Sequence, residues 1–175
     1  KNDEANLYLA RFSKLTRQIL ENATENYISL ADELQMTDNY LAIQQLLYNG
    51  NFKYRIDVDE NIAPEDYFVP PMLTQPFIEN AVKHGLAHVR EGGLIAVRFT
   101  MENKKLIFEV TDTGKGLEQK DADGSHKSMA AEIVKERLQH HASDKKDPVE
   151  ISNITIEGTV KGVRTRFEIP YLYEN

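Results

Sequence analysis

The segment QPFIENAVKHG, residues 75–85, contains the pattern on which the interpretation of the whole chain depends. Leu73, Phe77, Asn80 and His84 recur at helical spacing, which would place an asparagine among apolar side chains on one face of a helix. A buried amide needs hydrogen-bond partners. Asn80 is therefore either a core asparagine bonded to a neighbouring strand, or an oxygen ligand for Mg²⁺, which accepts such ligands alongside waters and substrate phosphates.

The charged residues around Asn80 also have ordinary structural explanations. Glu79 and Lys83 have the i, i+4 spacing of a surface ion pair on a helix. Lys83 and His84 would complement the helix dipole in the last turn, and Gly85 would cap the C-terminus. Taken one at a time, these residues do not distinguish a structural helix from a binding helix.

A second motif, DTGKG at residues 112–116, directly follows an apolar strand pattern. Asp and Gly are common in a turn that closes a hairpin. Glycines also allow a backbone to pass close to a flat ring or a phosphate. In that case a buried Asp112 that accepts from an exocyclic amine would select adenine over guanine.

The remaining sequence alternates between helical and strand periodicity. Pro76 indicates that the helix of the first motif starts near Thr74 or is kinked there. The other predicted elements are helices over 2–23, 29–48 and 129–138, and strands over 52–58, 94–101, 106–112, 149–158 and 163–170. This order predicts an α+β fold, a two-layer sandwich with helices on one face of a mixed, mostly antiparallel sheet, preceded by two amphipathic helices.

The composition indicates an ordinary globular domain with an appendage. The 175 residues carry a formal net charge of -7, which is not the basic surface expected of a nucleic-acid-binding protein, and they include no cysteine for disulfides or thiolate metal sites. No apolar run of about 18 residues is present. The first residues have the pattern of a helix interior, so we expect the chain to be part of a longer, cytoplasmic region.

The two motifs together resemble the N box and the first glycine box of the gyrase, heat-shock chaperone, histidine kinase and mismatch-repair ATPase superfamily. The longer string from Tyr40 to Gly85, with its PPMLTQPFIENA core, resembles more specifically the LytS/YehU-type sensor histidine kinases. The first helix, residues 5–23, is similar to the second dimerisation helix of that family. The resemblance implies a Bergerat-type ATP-binding fold.

The resemblance also implies nucleotide-binding roles for the first motif. Asn80 would coordinate a Mg²⁺ ion that bridges the ATP phosphates, and Glu79 beside it would also be a nucleotide-binding residue. Lys83 and His84 would lie near the phosphates.

The second motif and the loop after it would complete the implied site. Asp112 would accept from the adenine amino group, and Gly114 and Gly116 would let the loop lie against the nucleotide. Residues 117–127 would form a lid. The helix that follows would direct its N-terminus at the phosphates, with Lys127 as a phosphate cation and Ser128 as an N-cap or phosphate donor.

The chain departs from the family pattern at three positions. The second glycine box falls on residues 128–133, SMAAEI, where both glycines are absent, and we interpret this segment as a variant lid hinge. Gly162-Val163 replaces the usual Gly-Thr before the last strand, which puts a hydroxyl contact near adenine in doubt. Pro76 stands one turn before Asn80, where many relatives carry a polar residue.

The family's phosphoacceptor histidine lies in a Pro-His-Phe setting upstream of the first helix. No histidine of this chain has that setting; the five present are His84, His88, His126, His140 and His141. We therefore expect a fragment that binds ATP but does not phosphorylate itself.

The resemblance predicts three regions. Residues 1–26 would be the second half of a dimerisation hairpin, residues 27–50 a connecting helix and residues 51–175 the ATP-binding catalytic domain. It implies a response regulator as partner, a homodimer in the full-length protein, and attachment to a bacterial inner membrane only through upstream segments. Two alternatives remain: a nucleotide-binding scaffold that has lost catalysis, and an anti-sigma-type protein kinase of the same superfamily.

Overall fold

The structure, a computed structural model, describes residues 2–86, 92–117, 129–139 and 147–174. The helices are α1 (Asn2–Asn22), α2 (Leu30–Leu47), α3 (Gln75–Asn80) and α4 (Met129–Gln139), and α3 continues into a π-helical segment at Ala81–Gly85. The strands are β1 (Ile28–Ser29), β2 (Phe52–Val58), β3 (Tyr67–Val69), β4 (Gly93–Glu102), β5 (Lys105–Asp112), β6 (Val149–Ile156), β7 (Thr159–Ile169) and β8 (Leu172–Tyr173). The predicted helices and long strands are confirmed.

The larger sheet of the described residues has five strands in the order β2-β4-β5-β7-β6. The β4–β5, β5–β7 and β6–β7 pairs are antiparallel, and β2–β4 is parallel. Helices α2 and α3 supply buried apolar side chains to the same core as this sheet. The expected α+β fold with a mixed, mostly antiparallel sheet is therefore confirmed.

A smaller sheet of three short strands, β1-β3-β8, was not predicted. Strands of two or three residues are too short to show an alternating pattern in the sequence. In this sheet the ring centroids of Tyr67 and Tyr171 lie 5.3 Å apart, and those of Tyr67 and Tyr173 lie 5.0 Å apart. The aromatic cluster ties the C-terminal strand to β3.

Local signals set the ends of the main elements. Ser29 is the N-cap of α2, and its hydroxyl accepts the Asp32 N–H at 3.1 Å. The β4–β5 hairpin turns at Asn103 and Lys104, whose φ angles of 50° and 65° match the twist of the two strands. Thr74 is the N-cap of α3, so Pro76 lies in the first turn, where its missing N–H costs nothing.

Four phenylalanines join α3 to the centre of the sheet. The ring of Phe77 lies 5.0 Å from that of Phe167, which in turn lies 5.0 Å from that of Phe108, and Phe99 follows at 5.5 Å from Phe108. All four are nearly inaccessible to solvent. This column fixes one face of α3 against β4, β5 and β7.

The apolar stripe predicted on α1 is only partly covered by this chain. Leu15 is buried and Ile19 packs against the core, whereas Leu9 and Phe12 remain 58% and 50% exposed. Among the described residues, no helix is both long and apolar enough to cross a membrane.

Candidate functional site

The helix of the first motif changes its winding at Asn80. Residues Gln75–Asn80 are α-helical, and Ala81–Gly85 form a π-helical segment, a wider turn that is often found at functional sites. The stripe expected at α-helical spacing is therefore broken. Phe77 is buried, but Asn80 is only half-buried and His84 is exposed, so the expectation of a fully buried asparagine was wrong.

Two of the ordinary explanations for this helix are also replaced. The carboxylate of Glu79 accepts from Gln75 Nε2 at 3.3 Å, on the N-terminal side of Glu79 and away from Lys83. Gly85 is the buried last residue of the π segment, and the C-cap position falls on Leu86. The reason for a glycine at position 85 is packing and not a left-handed cap.

The two motifs meet at Gly85. A Cβ atom added to Gly85 would lie 2.7 Å from Asp112 Oδ1 and 2.6 Å from Asp112 Cβ, which is closer than atoms can pack. A Cβ atom added to Gly114 would lie 2.7 Å from Gly85 Cα. Both glycines are therefore required for QPFIENAVKHG and DTGKG to be in direct contact.

Asp112 lies at the centre of this contact and is 5% exposed. The Gly114 N–H donates to its Oδ1 at 2.8 Å, and the Val163 N–H also donates to the carboxyl group. Burial raises the pKa of Asp112, and the two N–H donors partly offset that effect by stabilising the ionised form. The result is a nearly enclosed carboxyl group held by backbone N–H donors.

Gly162 is a site residue whose role the sequence analysis missed. Its φ angle is +150°, and an added Cβ atom would lie 2.8 Å from the carbonyl carbon of Asp112. In the sequence, Gly162-Val163 stands out only as a departure from the family pattern. Its glycine lets β7 approach the Asp112 backbone, and its valine contributes the N–H that bonds the carboxyl group.

The loop after Gly114 is anchored to the β6–β7 hairpin. Gly116 has a φ angle of +86°, and an added Cβ atom would lie 2.9 Å from Asn153 Oδ1. The same Asn153 oxygen accepts the Leu117 N–H at 2.7 Å. Asn153 thus fixes where the predicted lid begins, which no local sequence signal indicated.

The remaining predicted site residues fall into two groups. Lys83 and His84 are exposed in the π segment, on the same element as Asn80. Lys127, Ser128 and most of the predicted lid lie outside the described residues, as do His88, His126, His140 and His141.

Three comparisons with known proteins relate this chain to histidine kinases. A family model described as Histidine kinase matches residues 1–52. The sensor protein LytS of Staphylococcus haemolyticus is 31% identical over 117 residues, which are 67% of this chain and 20% of that protein. LytS of Oceanobacillus iheyensis is 25% identical over 183 residues, covering 97% of this chain and 29% of that protein.

Solved structures give the same fold. The histidine kinase domain of the Erythrobacter litoralis EL346 blue-light activated histidine kinase superposes with a TM-score of 0.60 at 16% identity, covering 95% of this chain and 74% of that one. The catalytic domain of histidine kinase ThkA superposes with a TM-score of 0.54 at 16% identity, covering 82% of this chain and 93% of that one.

The architecture is therefore that of histidine kinase catalytic domains, with the segments QPFIENAVKHG and DTGKG in direct contact. Within this class the chain belongs to the LytS-type sensor histidine kinases. It spans between a fifth and a third of the length of the LytS proteins named above.

Proposed function

We propose that this chain is the Mg-ATP-binding region of a two-component sensor histidine kinase. It would bind ATP for phosphorylation of a histidine upstream of residue 1, with onward transfer to an aspartate of a response regulator. The contact of Gly85 with Asp112 and Gly114 is the observation that carries this proposal. It joins the two motifs into one site, and neither motif alone would define it.

The residues at this contact have the chemistry that Mg-ATP requires. Asp112 is an enclosed acceptor suited to the adenine amino group, and Gly114 and Gly116 let the loop after it pack closely against Gly85 and Asn153. Asn80 offers a half-buried amide oxygen to Mg²⁺, beside the Glu79 carboxylate. When bound, Mg²⁺ neutralises phosphate charge and ATP supplies the phosphoryl group.

The positive end of the site lies on the π segment and beyond it. Lys83 and His84 are exposed and free to approach an anionic ligand on the C-terminal side of Asn80. Lys127 and Ser128 are proposed to contact the phosphates from the start of α4. In phosphoryl transfer these groups position and neutralise the phosphates rather than forming covalent intermediates.

We assign the three predicted regions within this function. Residues 1–26 would form half of a dimerisation hairpin, residues 27–50 the connecting helix and residues 51–175 the catalytic domain of a homodimer. The partly exposed stripe of α1 supports the helical interface. A structure of ThkA is a complex with the response regulator protein TrrA, which supports a partner of the same kind here. The region would face the cytoplasm of a membrane-anchored sensor.

A calorimetric titration with Mg-ATP tests nucleotide binding directly. Asp112→Asn keeps an oxygen for the Gly114 N–H but removes the charge, and we expect it to weaken binding by about 1.5 to 3 kcal/mol. Omitting Mg²⁺ should weaken the wild type and should matter little for Asn80→Ala, which lacks the metal ligand. A wild-type chain that binds no nucleotide would refute the proposal.

A second candidate function is a nucleotide-binding scaffold that has lost catalysis. It is favoured by the absence of both glycines from residues 128–133, where the family's second glycine box falls. Labelled phosphate should enter a longer chain that includes the upstream histidine and should not enter the 175-residue chain alone. Nucleotide binding without incorporation into the longer chain would favour the scaffold.

A further inference from the structure

Glu33 is a buried carboxylate that the site described above does not use. It lies in the first turn of α2 and is 2% exposed. Its partners are at the start of α3, about forty residues further along the chain: Thr74 Oγ1 donates to Glu33 Oε1 at 2.6 Å, and the Met72 N–H donates to Oε2 at 3.3 Å. The Thr74 N–H bonds the same carboxyl group.

Of these donors, the Thr74 N–H is the one that a capping box would satisfy from within the helix. Thr74 is the N-cap of α3, but its side chain makes no capping bond within the helix and is committed to Glu33 instead. Met72 has a φ angle of 58°, an uncommon conformation for a residue with a side chain. A carboxylate from α2 therefore caps α3 and holds its strained approach in place.

The capped helix leads directly to the proposed phosphate side of the site. Six α-helical residues, Gln75–Asn80, separate Thr74 from the π segment, and Asn80 is the last of them. A helix this short has few bonds of its own, so its direction depends on how its first turn is held. A change at Thr74 would be passed on to Asn80.

Tyr40 of α2 lies near the other end of α3. It comes two turns after Glu33, and the pKa of its hydroxyl is raised by burial and by the nearby charge of Glu79. Helix α2 is therefore bonded to the start of α3 and lies near its Asn80 end. On its opposite side α2 is bound to α1, where Asn39 Nδ2 donates to Gln18 Oε1 at 2.9 Å.

We propose that Glu33 is a positioning residue for the nucleotide site: by capping α3 from α2, it sets the placement of Asn80 and Glu79 against the metal and phosphates. The inference rests on the proposed function. Adenine is assigned to Asp112, on β5, which Glu33 does not touch. Loss of Glu33 should therefore affect the phosphate half of the ligand and spare the adenine half.

The test compares two ligands on Glu33→Gln, with Glu21→Gln as the matched control. Gln has the size of Glu, but it replaces one acceptor oxygen with an NH₂ group that cannot accept from Thr74 or Met72. The control residue, Glu21, is an exposed glutamate on α1. We expect Glu33→Gln to bind Mg-ATP about tenfold more weakly, the effect of one lost charge-assisted bond, while adenosine affinity stays within about twofold. The control should match the wild type for both ligands.

Thr74 provides the reciprocal pair of variants. Thr74→Ser keeps the hydroxyl donor and should retain the wild-type ratio of the two affinities. Thr74→Val keeps the shape but removes the donor and should reproduce the selective loss of Mg-ATP binding. Equal losses of adenosine and Mg-ATP in Glu33→Gln, or no loss of either, would overturn the proposal.

Amide hydrogen exchange separates this inference from the proposed function. In unliganded Glu33→Gln, exchange should become faster over residues 74–80 while the β4–β5 amides keep wild-type protection. If the wild type binds neither ligand, the proposed function fails and this exchange pattern still decides whether Glu33 holds α3. Unchanged exchange, or faster exchange throughout the chain, contradicts the positioning role.

Discussion

Replacing Gly85 with alanine tests whether the contact between the two motifs is the basis of the site. Gly85 does not have a positive φ angle, so the backbone itself accepts alanine, and the whole cost is steric. The added methyl would lie 2.6 Å from Asp112 Cβ and 2.7 Å from its Oδ1. Asp112 cannot move away freely, because Gly114 and Val163 bond its carboxyl group and Gly162 packs on its backbone.

The expected magnitude follows from this crowding. Inserting one methyl group into a packed site costs about 1 to 3 kcal/mol of unfolding free energy. If the methyl displaces the Asp112 carboxylate, the bond from Gly114 is lost as well, which adds about 1 kcal/mol. We therefore expect Gly85→Ala to be about 2 to 4 kcal/mol less stable in urea unfolding and to bind adenosine at least about tenfold more weakly.

Gly50→Ala is the matched control, because its cost is conformational and not steric. Gly50 has a φ angle of +72°, and an added Cβ atom would meet nothing within 4 Å. We expect a loss of about 1 kcal/mol in stability with unchanged nucleotide affinity. Wild-type adenosine affinity in a folded Gly85→Ala chain would refute the assignment of Asp112 and its glycines to the nucleotide site.

Three further changes probe other parts of the molecule. Burial raises the pKa of Asp112, so the native protein binds the proton of this carboxyl group more tightly than the unfolded chain does. The group therefore lowers the free energy of unfolding as pH rises above its pKa of about 3.9 in the unfolded chain. Urea unfolding should show Asp112→Asn gaining stability relative to the wild type as pH rises above about 4, until the native carboxyl group is ionised as well. Asn153→Ala removes the acceptor of the Leu117 N–H, and we expect about 1 kcal/mol lower stability by the same assay, together with weaker Mg-ATP binding. The double change Leu9→Lys and Phe12→Lys alters side chains that are about half exposed, so the free energy of unfolding should change by less than about 0.5 kcal/mol. Light scattering should show weaker self-association of the variant. A large loss of stability would mean that this stripe of α1 is covered within one chain.

Periodicity predicted the long elements because their pattern repeats several times within each element. The strand Phe52–Val58 was predicted with the bounds that the structure gives, and the β4–β5 hairpin was predicted from its alternating residues and its turn. The small sheet was missed because its members Ile28–Ser29 and Leu172–Tyr173 are each two residues long. Two residues cannot show a period.

The candidate site was only partly predictable for a different reason. Asp112 and Asn80 were identified from their motifs, but the half-burial of Asn80 depends on the π segment, and AVKHG contains no local signal for a wider turn. The roles of Gly162 and Asn153 depend on the approach of β6 and β7 to the Asp112 loop. Such contacts join residues far apart in sequence, and a local pattern does not encode them.

Glu33 shows how such a distant contact bears on function. In the sequence it is one acidic residue in the first turn of a helix, where a favourable interaction with the helix dipole explains it fully. In the structure it is buried and joined to Thr74 across 41 residues. Burying a carboxylate is costly unless its oxygens are satisfied, and here the donors come from the helix that carries Asn80. The bonds that satisfy this carboxylate thus fix the start of α3 to α2, so a displacement of α2 would act on α3 through Glu33.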